Sequence, residues 1–130
     1  MTDPISDMLT RIRNALAMKK QEVVLPYSKF KHSLADILEK QGKLEKTAVE
    51  EQGNFKFLKL VLKYDDSGTS VISGVSRVSK PGQRIYSKAK KIPKVKLGNG
   101  ITIVSTSRGL MTDKQAKAEK IGGEVICQIW

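Results

Sequence analysis

The sequence predicts an α+β chain of two small lobes, an α-β-α-β-β half followed by a mainly β half with one short helix. Three observations lead there. Two amphipathic helical stripes fall within residues 1–65, strand-like apolar runs dominate residues 66–130, and the cluster Asp65-Asp66-Ser67-Gly68 sets a turn between them. The expected domains are therefore 1–65 and 66–130. At 130 residues the chain is long enough to bury roughly two-thirds of its unfolded surface, and with 39% hydrophobic residues it has the apolar area to fold rather than remain a basic tail.

In chain order, Asp3 is a candidate cap for a helix with Pro4 at its first position, and Ile5, Met8, Leu9, Ile12 and Leu16 follow on one helical face. The other face carries Ser6, Arg11, Arg13, Asn14 and Lys20, which suit either phosphate or water. Val23-Val24-Leu25 before Pro26 reads as a brief strand. Ser28 caps a second helix whose stripe is Phe30, Leu34, Ile37 and Leu38, ending near Gly42. His32 falls outside that stripe and reads as a surface side chain. Leu44–Val49 and Phe55–Tyr64 read as strands around Gly53-Asn54.

Beyond the Asp65 turn, Val71–Val78 is a strand in which Gly74 marks a bulge or a close approach by another backbone. Ser79-Lys80-Pro81-Gly82 is a turn, Arg84-Ile85-Tyr86 a short extended piece, and Lys88–Lys96 a basic stretch interrupted by Pro93. Gly98-Asn99-Gly100 turns into the apolar strand Ile101–Val104. Thr112 and Gln115 have capping-box spacing for a helix over Asp113–Lys120, closed by Gly122-Gly123, and Glu124–Trp130 forms the last strand.

Charge narrows the function. The formal net charge is +11, divided as 12 cations and 9 anions in residues 1–65 against 12 and 4 in residues 66–130. Arg77–Lys96 holds eight cations and no acid, Lys80 and Arg84 among them. Such a domain takes a polyanion as partner. The longest run without formal charge, Leu97–Ser107, is far short of the roughly 20 apolar residues of a membrane span. The start lacks a basic region followed by an apolar one, so no secretory signal is expected. Cys127 is the only cysteine and His32 the only histidine, which exclude an intramolecular disulfide and a His/Cys zinc site and point to a reducing, cytoplasmic setting. No dinucleotide fingerprint, Walker loop or acid–base cluster is present, so neither enzyme activity nor a cofactor is expected.

The most informative local feature is Ser105-Thr106-Ser107-Arg108-Gly109, where an apolar strand runs into a loop. Three hydroxyls can donate to phosphates or base edges and accept from ribose, and Arg108 adds a fixed charged fork. On residues alone the same run reads equally as turn chemistry. Tyr86, among the basic residues, suits either base stacking or packing beneath the loop. A DNA-binding second helix is a poorer reading, because Lys29, Lys31 and Lys40 share that helix with Asp36 and Glu39.

The runs Val104–Asp113 and Gly122–Cys127, the terminal Trp130, Asp3–Ala15, Pro26-Tyr27-Ser28-Lys29 and Ser79-Lys80-Pro81-Gly82 together resemble the family of the eighth protein of the bacterial small ribosomal subunit. The resemblance spans essentially the whole chain. It implies two lobes packed against each other and primary binding to the central domain of small-subunit ribosomal RNA, early in assembly. It carries RNA contact to Ser105, Thr106 and Ser107, and further to Tyr86, Lys56 and the Gly123-Glu124 corner. The fifth and seventeenth small-subunit proteins are the neighbours it implies, with the messenger of the protein's own operon as a second RNA.

Overall fold

A computed structural model describes residues 3–95 and 100–130, so Lys96 and the Gly98-Asn99 part of the expected turn lie outside the described residues. The chain divides into two compact units, Pro4–Ile72, and Ser73–Trp130 together with Asp3. The Asp65 turn lies inside the first of these, closed by Asp65 Oδ1, which accepts from the backbone N–H of Ser67 and of Thr69 at 2.9 Å each.

In the first unit, α1 (Pro4–Ala17) buries Met8, Leu9, Ile12 and Ala15, the face its spacing predicts. The helix α2 (Lys29–Lys40) starts where Ser28 accepts from the Lys31 N–H at 3.1 Å and buries Leu34, Ala35 and Leu38. Between and after them run β1 (Glu22–Pro26), β2 (Leu44–Gln52) and β3 (Phe55–Leu62), an antiparallel sheet of order β1-β3-β2. On β3 the core face is Leu58, Leu60 and Leu62, while Phe55, Phe57, Lys59 and Val61 occupy the other, where Phe55 is 70% exposed. Each leucine buried here contributes about 1.5–3 kcal/mol.

The second unit is built around β8 (Gly123–Ile129). On one side it pairs β6 (Ile101–Thr106), which pairs β7 (Gly109–Thr112). On the other side two short strands share its edge in succession, β4 (Val75–Arg77) and β5 (Tyr86–Ser87). Three sequence expectations change here. The strand expected over Val71–Val78 shrinks to three residues because the Ser73 and Gly74 N–H groups both turn to the Trp130 carbonyl, at 2.6 and 3.0 Å. Gly74 is required by a side chain rather than by another backbone, since a Cβ there would collide with the Trp130 indole. Strand β7 was not anticipated: four residues after a Ser-Arg tip give no alternation to read.

The helix α3 (Asp113–Ala118) begins as expected, with Thr112 Oγ1 accepting from the Gln115 N–H at 3.2 Å. Its end is not made by Gly122-Gly123. Lys120 takes the left-handed conformation at φ +56°, its N–H bonds the Lys117 carbonyl at 3.1 Å and that of Ile121 the Ala116 carbonyl at 3.0 Å, the paired bonds of a Schellman close. Ile121 then packs on a cluster of Ile92, Val104, Met111 and Ala116. The two glycines serve close packing instead: a Cβ on Gly122 would meet the Ser87 carbonyl, and one on Gly123 the Ser105 carbonyl.

Candidate nucleic-acid interface

Strand register assembles the site. Tyr86 lies opposite Glu124, Glu124 opposite Ser105, and Ser105 opposite Leu110, one row across β5, β8, β6 and β7. Directly opposed residues project from the same face of a sheet. Tyr86 is 71% exposed, which excludes packing beneath the loop and leaves its ring open for stacking. In the next row Ser87 faces Gly123, which lets the start of β8 pass close to Ser105 and Thr106.

Glu124 is held from the side. Its Oε2 accepts from the Ser79 hydroxyl and from Arg84 Nη1, the latter at 2.9 Å. Ser79 is fully buried and its Oγ accepts from the Ile85 N–H at 3.1 Å, so one hydroxyl ties β8 to the segment that leads into Tyr86. Burial alone would raise the Glu124 carboxyl; the Ser79 and Arg84 donors, with the charges of Arg84 and Arg77, outweigh it and hold the group below its ordinary value. Arg84 is raised in turn, first by its hydrogen bond to Glu124. Lys80 is exposed on the same segment, exchanging backbone bonds with Gln83 at 3.0 and 2.9 Å.

The β6–β7 hairpin divides its three hydroxyls by role. Thr106 Oγ1 donates to the Gly109 carbonyl at 2.8 Å and accepts from the Arg108 N–H at 3.0 Å, which closes the turn from within. Gly109, at φ +103°, supplies the left-handed step that β-branched or bulky residues resist. The Ser105 and Ser107 hydroxyls have no hydrogen-bond partner among the described residues. The turn reading weighed from the sequence thus holds for Thr106, while the Ser105 and Ser107 hydroxyls on either side of it take no part in the turn. Arg108 is exposed and reaches Glu119 Oε1 at 3.2 Å, an exchangeable surface pair.

Lys56 belongs to the first unit, on β3, with Nζ 4.5 Å from the centre of the Tyr27 ring. All the other expected site residues lie in the second unit. Arg77, counted with the acid-free basic stretch, is withdrawn from its surface: its side chain is 8% exposed, paired with Asp3 at 3.2 Å and donating to the Ile126 carbonyl at 2.7 Å. Cys127 is buried, and that burial, against a smaller opposing effect of Arg77, pushes its thiol up to about 12, which leaves no thiolate for chemistry at neutral pH. Among the described residues no three His, Cys, Asp or Glu side chains gather as metal ligands, and no helix is long and apolar enough to cross a membrane. Two residues that sequence reading passed over, Lys117 and Lys120, join Lys88, Lys90 and Lys91 around one hollow. The three-residue spacing of Lys114, Lys117 and Lys120 was the available signal.

Comparison with known proteins agrees over the full length. The family model for ribosomal protein S8 matches residues 3–130. The chain is 52% identical to small ribosomal subunit protein uS8 of Finegoldia magna, covering 100% of this chain and 99% of that one. It is 48% identical to the uS8 protein of Natranaerobius thermophilus and 49% identical to that of Clostridioides difficile, covering 100% of this chain and 98% of each relative.

Proposed function

The chain belongs to the ribosomal protein S8 family, and from that premise we propose that its second unit recognises the central domain of small-subunit ribosomal RNA through the row that carries Tyr86 and Ser105. The family is a structural one of the small ribosomal subunit in the cytoplasm, not an enzyme family. The observation that carries the reading is this row: an exposed ring and an unengaged hydroxyl held in register by Glu124, whose own charge is satisfied inward. A ring can stack on an unpaired base while hydroxyls read base edges and the ribose 2′-OH, which suits an internally bulged RNA helix.

Within this reading Ser105 and Ser107 select, Thr106 shapes the tip, and Arg108, Arg84 and Lys80 attract phosphate. Lys56 supplies a phosphate contact from the first unit. Gly123 acts as a spacer between β8 and β6, and Glu124, within the row, acts as a brace. Binding is primary and early, with the fifth and seventeenth small-subunit proteins as neighbours, and an operon messenger folded like the ribosomal site would use the same row.

The test replaces Ser105 and Ser107 with alanine and leaves Thr106 alone, since its hydroxyl closes the turn. Affinity for a central-domain transcript should fall toward that for an unrelated RNA of equal length, with an unchanged melting temperature. Undiminished discrimination would remove the hydroxyls from the site.

A further inference from the structure

Lys88, Lys90, Lys91, Lys117 and Lys120, with Ala89, line a hollow of about 720 Å³ in the second unit, and no acid lines it among the described residues. The adjoining hollow shares Lys88, Ala89 and Lys120 and extends to Tyr86, Gly122 and Gly123, so the lysines lie along one groove leading away from the recognition row. The nearby Glu119 is already engaged by Arg108 and by Gln115.

This basic segment is not a loose loop. Ile92 is 3% exposed in the cluster with Val104, Met111 and Ala116, and the Pro93 carbonyl accepts from the buried Thr102 hydroxyl at 2.7 Å. A 3-10 turn over Ala89–Lys91 stands on these anchors. Lys88, Lys90, Lys91, Lys117 and Lys120 share this hollow, and like charges brought to one surface repel one another, a cost that a polyanion would remove. Lys120 adds a second cost. It stands at the left-handed close of α3, a position that glycine fills most readily, and it puts a lysine there at the rim of the hollow.

We propose that this groove is a sequence-blind track for RNA backbone phosphates, in which Lys117 and Lys120 of the α3 end act with Lys88, Lys90 and Lys91. The inference rests on the RNA reading above and adds to it a second region with a separate role, since the row selects and the groove holds. Counterion release makes such contacts visible as the slope of log affinity against log salt, about 0.9 per phosphate on duplex and about 0.7 on single strands.

The molecule contains its own control. Lys19 closes α1 in the same way, at φ +52° with its N–H on the Leu16 carbonyl at 3.1 Å, and it does not line the groove. The full chain is titrated from about 0.05 to 0.2 M salt against the central-domain transcript and an unrelated RNA. A variant with Lys117→Gln and Lys120→Gly should bind both RNAs more weakly by the same factor, about fivefold per lost contact, with a slope shallower by about one per contact. Lys120→Gly alone should leave the melting temperature unchanged or raised, and Lys19→Gly should leave the slope as it was. Wild-type slopes in a folded Lys117/Lys120 variant overturn the proposal, and if that variant also fails to join small subunits, the groove meets an acidic protein instead. Should the wild type itself not prefer the cognate transcript, the recognition row fails while the slope still judges the groove.

Discussion

The two units carry 12 cations each and use them in opposite ways. Residues 4–72 set nine anions against theirs and interleave them on the surface. Lys59 stands between Glu22 at 3.3 Å and Glu50 at 3.5 Å, Arg11 pairs with Asp7, and His32 lies 3.6 Å from Asp36. In the second unit only four acids are present, and each is engaged: Asp3 with Arg77, Asp113 with the Thr102 N–H, Glu119 with Arg108 and Gln115, and Glu124 with Ser79 and Arg84. Equal numbers of positive charges thus leave a small excess in one unit and a large one in the other. The position of the acids, more than the abundance of lysine, makes a face attractive to RNA.

The comparison breaks most severely at Gly123. Its alanine variant would force a Cβ onto the Ser105 carbonyl, and either β8 or β6 must move; we expect a loss of about 2–4 kcal/mol in chemical unfolding together with weaker RNA binding. Wild-type stability would mean that the strands separate there without strain. Glu124→Gln ranks next, at about 1.5–3 kcal/mol for charged hydrogen bonds lost from a shielded site. Its pH dependence has a fixed sign. Glu124 releases its proton more readily folded than unfolded, so its stabilisation is complete above the ordinary carboxylate value of 4.5 and is lost as pH falls through the lower, folded value. The wild type should lose stability across that acid range more steeply than the glutamine variant; parallel acid melts would show that the brace carries no linkage.

Thr106→Ala should cost about 1 kcal/mol by opening the hairpin tip, whereas Ser107→Ala should leave thermal stability intact and reduce only RNA discrimination. Equal stability for the two variants would cancel the division of roles among the hydroxyls. The smallest effect belongs to the first unit. Lys59 is raised by its hydrogen bond and charge interaction with Glu22, then by those with Glu50, but it lies at the surface, where such pairs are screened. Lys59→Met should shift neither the melting temperature nor the salt slope for RNA, and a shallower slope would bring this face of the first unit into the interface.

Helices were legible because their signals are local. The Ser28 and Thr112 caps and the α1 stripe read directly from spacing, and so did the concentration of charge. The proposed RNA-contacting residues were legible as types around Ser105 and at Tyr86, with the family resemblance adding Lys56 and the Gly123-Glu124 corner. What escaped were relations between distant residues. Gly74 reads as a bulge until Trp130 lies against it, and Gly122-Gly123 reads as a helix stop until Lys120 is found closing the helix. Arg77 counts as surface charge until Asp3 removes it.

Composition, periodicity and capping spacing thus determined that this chain folds as α+β and is strongly basic, because both follow from the residues themselves or from neighbours within a few positions. Only the tertiary structure decided which hydroxyls are engaged, which cations are withdrawn, and that Tyr86, Glu124 and Ser105 share one row. Those outcomes depend on strand register and on side chains up to 74 positions apart, as between Asp3 and Arg77, and no local pattern encodes a register that long-range packing sets.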